Sequence, residues 1–289
     1  MNDHKKGLLL TSIGGLALSF DVPLVKLGQG DLWSIIALRS IFTLMAALLL
    51  WLLLRALSRC PPVLIPGRAG LLAGLFYGLS TMTFLGAVFN TATANVVFIV
   101  AFTPMFAALM GWLVLREVPS VSTVATMGAM VAGVALIVSG GLEAGGLLGD
   151  LLAALTSALL AGAITIARKT RRDMGFVPLV ATILPAVIGL AFVANGGFHV
   201  ASPAWIIFDG AVMIPLAFWC LATGPRYLSG PEVGMFYLLE TILAPIWVWM
   251  IFSEVPTTQT LIGGAILVLA LVAHSVWQMR RRSMALAAA

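Results

Sequence analysis

The chain has 289 residues, of which 61% are apolar and only 9% charged, and its mean hydropathy is +1.09. Soluble domains carry roughly 25% charged residues to keep their surfaces wet, so a soluble globule of 30.4 kDa is excluded. Two cysteines, Cys60 and Cys220, exclude a disulfide-built secreted domain, and the net charge of +5 is scattered between apolar runs, which speaks against nucleic acid as a partner.

A membrane core takes about 20 apolar residues as a helix, and ten such stretches follow one another. They cover roughly 7–25, 32–54, 69–89, 93–115, 121–139, 147–167, 176–194, 204–223, 231–252 and 260–277. The first follows Lys5 and Lys6 as a signal peptide would, but it lacks a small-x-small cleavage site and is read as a helix. The links are short and rich in Gly, Pro and charge, as in Gly28-Gln29-Gly30-Asp31 and Ser253-Glu254-Val255-Pro256. Each run is continuous and twice the length of a barrel strand, so a β-barrel is not expected. The expected fold is an all-α membrane protein of ten transmembrane helices, with the lipid bilayer as its surroundings.

Basic residues set the expected orientation. With the N-terminus inside, 14 of the 16 lysines and arginines fall on inner segments; Lys26 alone lies in an outer loop and Arg39 within the second span. Both termini are therefore expected in the cytoplasm.

The chain also repeats itself. Arg116-Glu117-Val118-Pro119 and Ser253-Glu254-Val255-Pro256 share Glu-Val-Pro at an offset of 137 positions, which aligns 94–119 with 231–256 without gaps. An offset of 142 lays 7–28 on 149–170, with Lys26 over Arg168. Five helices per repeat is an odd number, so two such repeats (1–141 and 142–289) would lie in opposite orientations around a central cavity. That is the inverted plan of many secondary transporters.

With these features the chain resembles the drug/metabolite transporter superfamily, in its ten-helix EamA-type branch. The matching features are Arg39 in the second span, Gly149-Asp150-Leu151 opening the second half, Pro104 through Glu117 closing the fourth span, and Glu240 through Glu254 closing the ninth. The ninth departs from the family pattern: Thr241 stands where proline often follows the glutamate, with Pro245 four residues on. The resemblance implies a basket of helices around a cavity and export of amino acids or other small metabolites across a bacterial inner membrane. Within the family the chain looks most like amino-acid exporters, the aromatic ones among them.

Enzyme and nucleotide motifs are missing: there is no His-Glu-x-x-His, no Gly-x-Ser-x-Gly and no Walker-type loop. The expectation is a protein without catalytic residues, cofactor or metal, monomer-sized, that moves a small-molecule substrate by alternating access. Exporters of drugs or other metabolites, channels and intramembrane enzymes are the competing readings.

Ionisable residues inside spans are costly and normally face the protein interior or water. Glu240 is the deepest, and is the candidate for recognising an amine or carrying a proton; a facilitated exporter would present the same residues. Arg39 is its expected buried counter-charge. Asp21 also belongs to this possible coupling group, although Asp21 and Asp209 sit toward outer ends, where a solvated or capping carboxylate is an equal reading. At offset 137, Asn95 matches Glu232 and Thr103 matches Glu240. The expected substrate pathway is Tyr77, Asn95, Phe98, Thr103, Trp219, Glu232, Tyr237 and Glu240, because ligand cavities are apolar with a few placed polar groups. Prolines at positions 23, 104, 185, 215 and 245 are expected to kink their spans and free backbone carbonyls.

Overall fold

The computed structural model describes residues 3–57, 63–143, 146–170, 174–224, 227–228 and 230–287. Among these residues ten helices are long and apolar enough to cross a membrane: His4–Leu27, Leu32–Leu57, Gly67–Asn90, Thr93–Leu115, Val121–Gly140, Leu147–Thr170, Val177–Gly196, Pro203–Leu221, Met235–Phe252 and Thr258–Trp277. They are numbered spans 1 to 10. The face where span 1 begins is called proximal, and the face where it ends distal. Their boundaries follow the apolar runs closely, because in hydrocarbon every backbone polar group must bond within its own segment and the helix extends until charge or a turn residue allows water in.

Four spans are broken, and prolines explain where. Pro23 cannot donate to the carbonyl four residues earlier, and span 1 divides into Asp3–Ser19 and Asp21–Leu27. Pro104 likewise divides span 4 into Thr93–Val100 and Thr103–Leu115. The freed Val100 carbonyl accepts the Thr103 hydroxyl (2.6 Å) and the Ser157 hydroxyl from span 6 (3.2 Å). Pro185 accompanies a break between Val180 and Ile183 in span 7. Span 8 carries a π-helical turn, Asp209–Met213, just before Pro215. Pro245, by contrast, lies inside an unbroken helix, Gly230–Phe252.

Spans 3 and 6 pack most extensively, followed by spans 5 and 10, then by spans 2 and 7, spans 1 and 8 and spans 4 and 6. Small residues permit the closest approach: a Cβ on Gly133 of span 5 would stand 2.9 Å from the Gly263 carbonyl of span 10, and one on Gly263 would stand 2.6 Å from the Gly133 carbonyl. The largest core cluster joins Val22, Ile36, Leu85, Val96, Ile99, Ile206 and Leu267, from six different spans. Outward, the helices expose Leu49, Leu113, Val187 and Leu269, the apolar belt that lipid covers.

At the distal face the two loops 1–2 and 7–8 are bonded together. Asp31 N–H donates to the His199 carbonyl (3.0 Å) and Ala201 N–H to the Gln29 carbonyl (3.0 Å). Asp31 also starts span 2: its carboxylate accepts the backbone N–H groups of Trp33 (3.0 Å) and Ser34 (3.1 Å). Slight burial pushes that carboxyl up, but the bonds from Ser34 and Trp33 and the nearby His199 outweigh it and hold Asp31 below its ordinary range.

Several local features recur at the 137-position offset. Arg116 and Ser253 end spans 4 and 9 with left-handed backbone, φ 58° and 55°. Spans 5 and 10 then begin with the same hydroxyl pair: Ser120 with Thr123 and Thr257 with Thr260, each pair 2.9 Å apart, and in each the later N–H donates to the earlier hydroxyl at 3.2 Å.

Candidate functional site

Helical rise places three charged side chains at one depth. Asp21 lies six residues before the end of span 1, Arg39 seven after the start of span 2 and Asp209 six after the start of span 8. At 1.5 Å per residue all three sit about 9–10 Å below the distal face. There they bond to one another: Arg39 Nε donates to Asp209 Oδ2 and Arg39 Nη2 to Asp21 Oδ1, both at 2.7 Å. All three are buried. The contact needs a close approach of spans 2 and 8, and Gly210 allows it, since a Cβ there would stand 2.5 Å from the Arg39 carbonyl oxygen. The π turn that starts at Asp209 widens the helix at the same point.

This arrangement corrects the pairing expected for Arg39. Its guanidinium bonds to Asp21 and Asp209, not to Glu240, which stands close enough to feel both Asp21 and Arg39 but makes no bond to them. Asp209 is neither solvated nor a cap: it has no exposed surface, and its Oδ1 has no hydrogen-bond partner. Losing one member of such a buried pair typically costs about 3–5 kcal/mol, because the other charge is left uncompensated.

Nearer the middle of the membrane lies a second group. Glu240 is twelve residues from the distal end of span 9, about 18 Å down a core of about 30 Å. Tyr237, one turn earlier, and Tyr77 of span 3 lie at similar depth, and Tyr237 is electrostatically close to both Tyr77 and Glu240. Glu240 and Tyr77 are half-buried, and Tyr237 is 41% exposed. That surface is left uncovered by packed neighbours.

A third group sits at the distal ends of spans 3, 4, 6 and 10. Asp150 Oδ1 accepts the Thr91 hydroxyl (2.8 Å) and the Asn95 amide (3.1 Å), and Asn95 Oδ1 accepts the Thr260 hydroxyl (2.6 Å). Both ends of the Asn95 amide are thus committed to protein, and it is buried. Beside this group Lys26 forms an ion pair with Glu254, whose other oxygen accepts the Thr93 N–H (2.6 Å). At the proximal face Arg168 pairs with Glu117, and His4 with Glu232 at 3.1 Å.

The remaining pathway residues are engaged elsewhere. Phe98 is buried with its ring against Gly264 of span 10. Thr103 serves the break in span 4. Trp219 is 45% exposed on span 8, where its neighbours Ala217, Cys220 and Leu221 pack against Gly14 of span 1. The residue pattern missed Asp150 as the hub of a bond network, although its place in Gly149-Asp150-Leu151 was a signal. Among the described residues no three His, Cys, Asp or Glu side chains converge as metal ligands.

Known proteins place this architecture. Residues 5–139 match the EamA-like transporter family, and the chain is a multi-pass membrane protein consistent with membership of the drug/metabolite transporter superfamily. Transporters of that family move small solutes and are generally not enzymes. Among solved structures 21 chains match; one of them covers 92% of this chain and 98% of its own length, with a TM-score of 0.63 at 16% identity, a likeness of fold. No curated protein matches by sequence.

Proposed function

We propose that the protein is a secondary transporter that exports small organic solutes, amino acids foremost and apolar or aromatic ones among them, across a bacterial inner membrane by alternating access. The two five-helix halves, 1–141 and 142–289, would be inverted repeats, with both termini in the cytoplasm and the proximal face therefore inside. Glu240 with Tyr77 and Tyr237 forms the substrate site, an apolar-walled space with one carboxylate suited to an amine.

The observation that carries the reading is a pair of ion pairs. Lys26–Glu254 ties spans 1 and 9 at the distal face; Arg168–Glu117 ties spans 6 and 4 at the proximal face. The offsets of 142 and 137 carry Lys26 onto Arg168 and Glu117 onto Glu254, so each pair is the counterpart of the other with the halves exchanged. A carrier must close one face while it opens the other, and equivalent latches at opposite faces supply that. The distal face also has the Asn95–Asp150–Thr260 bonds and the Arg39 cluster beneath it, whereas the proximal pair is about half exposed. In this conformer both pairs are formed, and the distal one is the more buried of the two.

The reading is tested by overexpressing the protein in bacteria and measuring amino acids released to the medium, with the Glu240→Leu variant as the comparison. Release of one or a few amino acids above that variant supports it. Equal release of every amino acid by both strains, with both proteins present in the membrane, contradicts it.

A further inference from the structure

Two carboxylates share one guanidinium in the Asp21–Arg39–Asp209 cluster. With both ionised, the cluster holds one net negative charge in a buried place. Asp209 Oδ2 is occupied by Arg39 Nε, but Oδ1, fully buried, has no donor. Asp21 and Asp209 are close neighbours, because both carboxylates bond to the same guanidinium at 2.7 Å. Two ionised carboxylates at that range repel, and neither can donate. The surrounding elements bring no second cation to the cluster: Lys26, on the helix of Asp21, is paired with Glu254; span 7, packed on span 2, has no ionisable side chain between Val177 and Gly196, and Asp209 is the only charged residue of span 8. Span 9 contributes a further carboxylate, Glu240.

One proton resolves all of this. Placed on Asp209, it forms one O–H bond, provides the missing donor toward Asp21 and brings the cluster from one net negative charge to none. We propose that the Asp21–Asp209 pair, held by Arg39, is a binding site for one exchangeable proton, and that this proton is the coupling ion of the cycle; the coupling, though not the site, rests on the transporter reading. Glu240 lies about 8–9 Å deeper from the distal face than the cluster and is half-buried, so it stands between this cluster and the proximal side. Loading takes a proton from water through that space and unloading returns it. The proton need not leave by the side it entered, since the π turn at Asp209 gives span 8 a place to shift.

Infrared spectroscopy of the purified full-length protein in lipid nanodiscs tests the site with protons as the only ligand. The wild type should show at neutral pH a protonated-carboxyl C=O band that moves on deuterium exchange and disappears at alkaline pH. Asp209→Asn, a neutral amide of the same shape, should remain folded and lose the band. Asp21→Asn should lose it too, because Asp209 then faces Arg39 one to one and ionises. Asp31→Asn should keep it. A wild type without the band, or variants that both retain it, would show a static ionised cluster and overturn the proposal. Glu240→Gln, which removes the other deep carboxyl and should fold, should keep the band. Its loss in that variant would put the proton on Glu240 and overturn the proposal even if the Asp209 and Asp21 variants do not fold. If the band behaves as expected but proteoliposomes move no amino acid, the proton site stands and the transporter reading falls. Amino-acid transport without the band removes the proton site and leaves the transporter.

Discussion

Arg116 and Ser253, 137 positions apart, take the same left-handed backbone conformation, and each is followed by a glutamate that forms an ion pair with a basic residue of the opposite half. Non-glycine residues with positive φ are uncommon, so two at equivalent positions reflect one turn used twice. That turn aims Glu117 at Arg168 on one face and Glu254 at Lys26 on the other. If these are latches, Lys26→Glu should slow transport several-fold by repelling Glu254. The double variant Lys26→Glu with Glu254→Lys should recover most of it, as measured by initial rates in proteoliposomes. A double variant no better than the single one would mean the pair has another role.

Glu240→Gln keeps size and hydrogen-bonding capacity while removing the charge. The variant should fold, since a neutral amide is cheaper to bury than a carboxylate. Transport should fall about tenfold, equivalent to about 1.4 kcal/mol, and whatever pH dependence Glu240 confers should flatten. Normal transport by Glu240→Gln at all pH values would assign the residue a structural role.

Asn95→Ala should act on stability instead. It removes a donor from Asp150 and an acceptor from Thr260 at one buried junction, and each group left unsatisfied costs about 1–3 kcal/mol. Thermal unfolding in detergent should shift down clearly, and Asn95→Asp should not rescue it, because it sets a second carboxylate against Asp150. An unfolding curve equal to wild type would return Asn95 to the list of groups free to meet substrate.

Asp31 caps span 2 from the distal loop. Asp31→Ala should lower stability by about 1 kcal/mol, the usual worth of such a cap. Because the folded protein holds this carboxyl below its ordinary range, its contribution is complete above the unfolded value and is lost as pH falls through the folded one. The gap between wild type and variant in unfolding temperature should therefore close in strongly acidic buffer and persist at neutral pH.

How much of this was readable from residues depends on the range of the interaction. Spans 2, 4 and 5 begin where the apolar runs begin, at Leu32, Thr93 and Val121, because length and hydropathy are local and lipid enforces them. The breaks at prolines 23, 104 and 185 are local as well. Pro245 differs although its chemistry is the same, and only packing distinguishes it. Arg39 could not be matched to Asp209 by pattern: they are 170 positions apart, and nothing in either segment marks the π turn or the approach at Gly210 that joins them. Depth along each span, counted from its distal end, would have been the usable signal, since it puts Asp21, Arg39 and Asp209 in one plane and leaves Glu240 in another.

If orientation follows the basic residues, a reporter fused after Arg282 should report cytoplasm while one placed between residues 140 and 146 reports periplasm. A periplasmic C-terminus would imply an odd number of crossings and break the inverted five-plus-five plan.

The central claim is that one binding site is exposed alternately to the two sides. Counterflow tests it most directly: proteoliposomes loaded with an unlabelled amino acid identified by the export screen are diluted into a trace of the same amino acid carrying a label. A carrier should accumulate label transiently above equilibrium, and Glu240→Gln should do so about tenfold more slowly, in line with a loss of about 1.4 kcal/mol. Label that only equilibrates, at a rate independent of what is inside, would identify a channel and contradict the account.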